Sequence, residues 1–191
     1  GLPGIDFAYQ HLAAAKEKME DDSRFEYNIH FEPIYAEFQL EKNKYKLLKE
    51  FKRRVADFFE HYTSINIRSL TTRRGLKVYD YDTVWNNILN RKPYSLKCVP
   101  GVYVDWDNTP RKGINGKVHK GACPEKFKKY FYEQVKRTKD VYHQNMIFVY
   151  AWNEWAEGGY LEPDERFKYG YLEAIHDVLE ELDELENQTT E

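Results

Sequence analysis

The sequence predicts an α/β fold, and more specifically the C-terminal portion of a (β/α)8 barrel. Short apolar runs typical of strands alternate with amphipathic runs typical of helices, which favours parallel strands joined by crossover helices. An open nucleotide-binding sheet would place a glycine-rich turn after a strand, but the sequence contains neither G-x-G-x-x-G nor G-x-x-x-x-G-K-[ST]. The segments that follow the strands are acidic and aromatic instead, as at the face where barrel enzymes keep their active sites.

Three elements are predicted in the first third of the chain. The alanine-rich run 6–19 favours a helix, because alanine has the highest helix propensity. The apolar run 25–33 favours a buried strand, and the apolar residues of 43–62 fall on one helical face.

The middle of the chain predicts a helix and a strand. An extended piece is expected over Leu76–Tyr79, and Asp82 is expected to cap a helix over Thr83–Leu89. The apolar run 96–104 predicts the next strand. An exposed polar loop that includes His119 is expected to follow.

The last three predicted elements are a helix, a strand and a helix. Pro124 suits the first position of a helix over 124–142, because that position leaves its amide unbonded within the helix. The uninterrupted apolar run 146–151 predicts a strand that is covered on both faces. Apolar residues at helical spacing over 169–185 predict a final helix, which is followed by the polar tail 187–191.

The length of the chain bears on the barrel prediction. A complete barrel takes about 250 residues and eight strands. The 191 residues offer about three clear strands, and the first residue is not methionine. We therefore expect a single domain over 1–191 that corresponds to the C-terminal half of a barrel and is a piece of a longer protein.

Composition limits the classes of function. A net charge of −3 gives no field that favours nucleic acid or an anionic membrane, and no apolar run is long enough to span a membrane. Cys98 and Cys123 show neither metal-ligand spacing nor a disulfide framework, so we expect reduced thiols in a cytoplasmic protein. The aromatic share of 16% suits sugar binding, since tyrosine and tryptophan combine an apolar face with a polar edge. The sequence leaves the oligomeric state open.

The segment YAWNEWAEGGYLEPDERFKYGYLEA, residues 150–174, concentrates candidate site residues. It carries six carboxylates, of which Glu154 and Glu157 lie three residues apart and close to tryptophans. Making or breaking a glycosidic bond needs one carboxyl group at the exocyclic oxygen and a second near the sugar ring. Burial beside Trp152 and Trp155 would favour the protonated form of one glutamate. The alternative is that both glutamates make structural hydrogen bonds at a strand-to-loop corner.

A second acidic pair, Asp105 and Asp107, lies in the segment DWDNTPR. Such a D-x-D pair holds Mg²⁺ or Mn²⁺ and a sugar-nucleotide diphosphate in many glycosyltransferases, and carboxylate oxygens suit these ions. Asp107 can instead cap the turn that follows it. Arg111 can pair with a carboxylate of the other segment, or bind a phosphate or carboxylate of the substrate. We expect no cofactor, and a divalent metal only if the protein is a transferase of this kind.

These two segments resemble the signature segments of the WbsX-like family. The strings that carry the resemblance are GVYVDWDNTPRKG and FVYAWNEWAEGGYLEPDERFKYGYLEA. Members of that family occur in bacterial O-antigen and other surface-polysaccharide gene clusters and are often labelled glycosyltransferases. The family is also similar to the family 99 glycoside hydrolases, the endo-α-mannosidases, which are (β/α)8 barrels. The resemblance implies a carbohydrate-active enzyme that makes or cleaves glycosidic bonds in surface polysaccharide, with a glycan or sugar as its substrate.

The resemblance also implies residue roles. The mannosidases carry an E-W-H-E-G motif, in which the first glutamate is the base toward the sugar 2-hydroxyl and the second is the acid/base at the glycosidic oxygen. Glu154, Trp155, Glu157 and Gly158 fall on this pattern, whereas Ala156 stands where the hydrolases have histidine. Glu154 and Glu157 are therefore the expected catalytic residues. The expected substrate-binding residues are Trp106, Asp107, Arg111, Trp152, Asn153, Trp155, Tyr160 and Glu162.

Metal dependence separates the remaining functions. EDTA is expected to abolish sugar transfer that relies on Asp105 and Asp107, and to leave hydrolysis by two carboxylates unchanged. The measurement is turnover before and after chelation, with Mg²⁺ or Mn²⁺ added back as the control. A non-catalytic, sugar-binding remnant of a barrel would bind glycans and show no turnover under either condition.

Overall fold

The computed structural model describes residues 4–11, 24–41 and 75–189. In chain order the elements are β1 (Ala8–His11), β2 (Tyr27–His30), α1 (34–41), β3 (Lys77–Asp80), α2 (Tyr81–Leu89), β4 (Cys98–Val99), β5 (Gly101–Tyr103), α3 (Thr109–Lys112), β6 (Lys117–Lys120), α4 (Pro124–Asp140), β7 (Phe148–Tyr150), β8 (Asn153–Glu154), β9 (Gly159–Tyr160) and α5 (Gly170–Thr189). Single 3-10 turns cover Gly113–Asn115 and Trp155–Glu157. The helix predicted over 43–62 lies outside the described residues.

Five strands pair in parallel in the order β1, β2, β4 and then β5, β7, and this series leaves out β3 and β6. β1 pairs with β2, and β2 pairs with β4, all in parallel. β5 follows β4 after Pro100 and pairs in parallel with β7, with Val102 opposite Val149. Together with the helices between them, these strands confirm the α/β prediction.

Two further strand pairs are separate from this series. β3 pairs in parallel with β6, and β8 pairs with β9 in an antiparallel hairpin. β6 also contacts the segment that follows β5, because the His119 amide donates to the Trp106 carbonyl at 2.8 Å. The exposed loop predicted around His119 is therefore wrong: His119 belongs to a strand and its side chain is fully buried.

The core lies where helices α2, α4 and α5 pack against the parallel strands. Trp85 of α2 stacks on Tyr103 of β5 and on Tyr130 of α4, with ring centroids 5.4 and 5.3 Å apart. Phe127 of α4 meets Tyr171 of α5 edge to face at 5.6 Å. Burial of such large rings stabilises the fold through the hydrophobic effect and ring–ring contacts.

No helix in the described part of the chain is both long and apolar enough to cross a membrane.

Both C-terminal helices form where the apolar spacing predicts them. α4 begins at Pro124 as expected. α5 extends to Thr189, so the first residues of the predicted polar tail are helical. The strand between them is β7, but Phe148 is 42% exposed, so the prediction that this strand is covered on both faces fails at that residue.

Two local predictions are wrong. The alanine-rich run contains β1, because backbone pairing with β2 outweighs the helix propensity of alanine; beyond His11 the run lies outside the described residues. The cap of α2 is Asp80, whose carboxylate accepts a hydrogen bond from the Thr83 amide at 2.8 Å. Asp82 lies in the first turn and accepts instead from Lys126 at 2.6 Å.

Gly101 allows β5 to pass close to the end of β2. A Cβ atom at this position would lie 2.0 Å from the His30 carbonyl oxygen, which is far inside van der Waals contact. Because the nearest atom is backbone, no side-chain rotation can relieve the overlap. The parallel arrangement of β2 and β5 therefore requires glycine here.

We expect Gly101→Ala to lower the free energy of unfolding by at least about 2–3 kcal/mol, since an overpacked core must shift its backbone. Thermal or urea denaturation measures the change. The control is Gly4→Ala, where nothing lies within 4 Å of the added Cβ; its effect is expected to stay within about 0.5 kcal/mol. Equal stability of the two variants would contradict the close approach.

Candidate functional site

The two candidate segments meet because the strands that precede them are paired. β5 and β7 run in parallel, so the chain leaves both at the same edge. The Asp107 amide then donates to the Glu157 carbonyl at 2.8 Å. Gly158 has φ +65°, and a Cβ there would lie 2.9 Å from the Asp107 nitrogen, so this junction requires glycine.

A tight hairpin presents the two glutamates. Glu154 ends β8 opposite Gly159 of β9, and the 3-10 turn between the strands ends at Glu157. The backbone of Trp152 closes the hairpin, because its carbonyl accepts from the amides of Leu161 and Glu162 at 2.9 and 3.1 Å. The spacing that drew attention in the sequence is thus the spacing of a single turn between two short strands.

Tyr150, the last residue of β7, contacts one of the two glutamates. Its hydroxyl donates to Glu157 Oε2 at 3.2 Å. Burial raises the pKa of Tyr150 to about 12, with a smaller upward contribution from the charge of Glu154 and an opposing one from Arg111. The hydroxyl therefore binds Glu157 directly and also responds to the charge of Glu154.

Sequence reasoning missed Tyr150, because the residue lies inside an apolar run that predicts a buried strand. The available signal was its place at the carboxyl end of that strand, directly before the acidic segment. The ring stacks on Trp106 with centroids 5.4 Å apart and meets Phe31 edge to face at 5.1 Å. Trp106, which was predicted to bind substrate, is itself buried and supports Tyr150.

Arg111 forms an ion pair with Glu157. Its Nη2 atom donates to Glu157 Oε1, across 46 residues of sequence. The side chain of Arg111 is 52% exposed, whereas that of Glu157 is 14% exposed. Of the two roles considered for Arg111, pairing with a carboxylate of the other segment is the one present here. An adjacent guanidinium favours the ionised form of a carboxylate.

Trp155 and Tyr160 form an aromatic platform beside the glutamates. Their rings stack with centroids 3.8 Å apart and planes inclined by 17°. Trp155 Nε1 donates to Glu162 Oε2 at 2.5 Å, and the Tyr160 hydroxyl donates to Asp164 at 2.9 Å. The indole is therefore fixed in orientation, although Trp155 remains 50% exposed. The side chains of Trp152 and Asn153 are also exposed, directly before it in sequence.

Asp105 and Asp107 both accept hydrogen bonds from neighbouring residues of the chain. Asp107 Oδ1 accepts from the Thr109 amide at 2.8 Å and from its hydroxyl at 2.6 Å, which is the turn cap considered from the sequence. Asp105 Oδ1 accepts from the Trp106 amide at 2.6 Å. Within residues 4–11, 24–41 and 75–189, no group of three or more His, Cys, Asp or Glu side chains is placed to hold a metal ion. Metal binding by this pair stays a prediction.

Asp105 differs from its neighbours in its titration. Burial raises the pKa of Asp105 to about 6, with the charge of Arg166 opposing the shift and that of Asp107 adding to it. The carboxyl group therefore changes charge close to neutral pH. A buried carboxyl group that titrates at the end of a strand is a candidate functional group. From the sequence, Asp105 was considered only as a metal ligand.

A small cavity lies on the other side of Tyr150. Its volume is about 110 Å³, and Gln10, Ile29, Phe31 and Tyr150 are among its lining residues. Glu154 and Glu157 are not part of this lining within the described residues. The platform formed by Trp155 and Tyr160, rather than this cavity, is therefore the open surface next to the two glutamates.

Comparison with known proteins connects this site to a family. The family model described as "Glycosyltransferase WbsX" matches residues 1–175. The chain is 33% identical over 104 residues to the uncharacterized protein WxcX of Xanthomonas campestris pv. campestris strain B100, and 34% identical over 104 residues to the protein of that name in a second strain. Each match covers 53% of this chain and 15% of the relative, so the chain spans a small part of the curated relatives it matches. No solved structure matches it.

The raised pKa of Asp105 predicts a dependence of stability on pH. Since this pKa of about 6 lies above the ordinary value of 3.8, the folded state binds the proton more tightly than the unfolded chain. The resulting stability is present below about pH 4 and is lost as the pH rises through about 6. We expect Asp105→Asn, which cannot ionise, to gain up to about 3 kcal/mol relative to the wild type between about pH 4 and about pH 8.

Urea denaturation of both proteins at the two pH values measures this difference, and taking the difference between proteins cancels the titration of other groups. Asp140→Asn is the matched control, because Asp140 is exposed at the end of α4. A wild type and an Asp105→Asn variant that lose stability in parallel would contradict the raised pKa.

Proposed function

Because the chain belongs to the WbsX glycosyltransferase family, we propose that it makes or cleaves glycosidic bonds in a bacterial surface polysaccharide of the O-antigen type, with Glu154 and Glu157 as the catalytic pair. One observation carries the assignment of the pair: Glu157 accepts from the Tyr150 hydroxyl at the carboxyl end of β7, and Glu154 lies three residues away in the same hairpin. Glycosidic chemistry needs two such carboxyl groups near one bond.

The two glutamates have different surroundings, which supports different roles. Glu157 binds Arg111 and Tyr150, and we assign it to the glycosidic oxygen. In its protonated form it can donate a proton to the leaving oxygen when a bond is cleaved. In its ionised form it can accept the proton of an acceptor hydroxyl when a bond is made. Glu154, on the opposite strand end of the hairpin, acts near the sugar ring.

The platform formed by Trp155 and Tyr160 supports a sugar as the ligand. An indole ring that is fixed in orientation and half exposed offers a flat apolar surface to the apolar face of a pyranose ring. Glu162 already accepts a hydrogen bond from the Trp155 indole, and it can accept another from a sugar hydroxyl beside that surface. Trp152 and Asn153 extend the same exposed rim.

The barrel belongs to the same proposal. In a barrel each parallel strand of the wall lies beside the next one along the chain, and β1, β2, β4 with β5, and β7 follow one another in this way when the separate parallel pair of β3 and β6 is set aside. An open doubly wound sheet would reverse its strand order at one point. We therefore propose that these strands are consecutive strands of a (β/α)8 barrel whose active site lies at their carboxyl ends.

In the full-length protein, Glu157→Gln removes a proton donor and keeps its size. Turnover of glycans with poor leaving groups is expected to fall by roughly 10²–10⁴, the usual contribution of general acid catalysis. An aryl or fluoride glycoside needs less protonation and should lose less. Glu154→Gln should reduce turnover of both substrates alike, because its role is at the ring. Steady-state kinetics on both substrates measure these effects.

Glu165→Gln is the control, because Glu165 is exposed in the same segment. The melting temperature of each variant separates loss of chemistry from loss of fold. If Glu154→Gln and Glu157→Gln keep full turnover, or if both simply unfold, the pair is structural and the proposal fails.

A further inference from the structure

The ion pair between Arg111 and Glu157 is uneven in its exposure. Glu157 is largely buried behind the hairpin, whereas more than half of the Arg111 side chain faces solvent. Arg111 belongs to α3, a short surface helix with Lys112 exposed next to it. A ligand can therefore reach the cation without first reaching the carboxylate.

This pair is in tension with an acid role for Glu157. A carboxylate that accepts from a guanidinium and from the Tyr150 hydroxyl is stabilised in its ionised form. Other acidic residues of the two segments are Glu154, at the end of β8, and Asp107, whose amide donates to the Glu157 carbonyl. A general acid must carry a proton before the reaction, so Arg111 has to leave Glu157 first.

We infer that the substrate carries an anionic group, a carboxylate or a phosphate, that takes Arg111 from Glu157 and so allows Glu157 to become protonated. The exchange leaves every charge accounted for. The guanidinium moves from the glutamate to the substrate anion, and Glu157 takes up one proton from bulk water. The inference rests on the proposed function, because it names the substrate class of that site.

The requirement for an anion follows from the competition between Glu157 and the ligand for the exposed guanidinium of Arg111. A neutral sugar offers only hydroxyl groups, so Arg111 would keep Glu157 as its partner. A carboxylate or a phosphate forms two parallel hydrogen bonds with a guanidinium, which are stronger than bonds between neutral groups.

The remaining carboxylates of the site determine where the anion can lie. Glu154, Glu162 and Asp164 surround the hairpin and repel a negative group. We therefore expect the anion that reaches Glu157 to lie beside the exposed guanidinium of Arg111. This restriction fixes the position of the anionic sugar relative to Glu157 and leaves the aromatic platform for a neutral neighbour in the glycan.

The test measures binding and proton uptake together by isothermal titration calorimetry in two buffers of different ionisation enthalpy. The probes are D-glucuronate, D-glucose 6-phosphate and D-glucose, added to the full-length protein. At least one anionic sugar is expected to bind at least about tenfold more tightly than glucose, with uptake of up to one proton per site. The two anionic probes distinguish a carboxylate from a phosphate as the recognised group.

Arg111→Gln is expected to abolish both the preference for the anionic sugar and the proton uptake, while Glu157→Gln abolishes the uptake alone. Lys112→Gln is the control, because it removes one positive charge from the same helix and leaves the ion pair intact. It should keep proton uptake and most of the preference. Equal affinity for all three probes, no binding of either anionic probe up to about 10 mM, or an unchanged preference in Arg111→Gln would overturn the inference.

The two proposals can fail separately. If Glu157→Gln loses turnover while Arg111→Gln keeps its anion preference, the catalytic pair stands and the anionic substrate is wrong. If the anion binds through Arg111 while Glu154→Gln and Glu157→Gln keep full turnover, the site binds anions and the catalytic pair is wrong.

Discussion

The parallel pairing of β5 with β7 is the constraint on which the whole site depends. It sends two loops out at one edge of the sheet, and these loops supply Arg111 and Glu157, which lie 46 residues apart in sequence. The hydrogen bond from the Asp107 amide to the Glu157 carbonyl then fixes the loops against each other. Gly158 is the residue that permits this contact. A change that slips this pairing would therefore separate the cation from its carboxylate without touching either side chain.

Three carboxyl groups in this small region have three different surroundings. Glu157 pairs with a guanidinium, Asp107 accepts hydrogen bonds from the amide and hydroxyl of Thr109, and Asp105 is buried, which raises its pKa to about 6. Groups of one chemical type thus meet different electrostatic environments, and such differences are what allow acid and base roles at one pH. The sequence alone shows the carboxylates and their spacing, but it does not show which of them is buried away from solvent.

The sequence predicted those structural features that depend on residues close together in the chain. The apolar runs at β2 and β5, Pro124 at the start of α4, and the spacing of Glu154 and Glu157 could all be found in the sequence, because each depends on neighbouring residues. β1 and His119 could not. β1 is a strand only because β2 lies beside it, and His119 is buried because its ring nitrogens lie 3.1 Å from the Tyr103 hydroxyl and the Glu37 carboxylate, 16 and 82 residues away in sequence.

Two other ion pairs in the described part of the chain differ from that of Arg111 with Glu157 in how exposed their side chains are. Arg91 with Glu32 is buried on both sides, with 5% and 0% of the side chains exposed, and Glu37, which binds Lys117, is 4% exposed. Breaking a buried pair costs about 3–5 kcal/mol because one charge is left without a partner. The pair of Arg111 with Glu157 has an exposed cation that water or a ligand can solvate when the bond opens. Its cation is the most exposed of these three, at 52% against 27% for Lys117 and 5% for Arg91, and it lies at the end of β7 beside an exposed aromatic platform, which suits an exchange of partners.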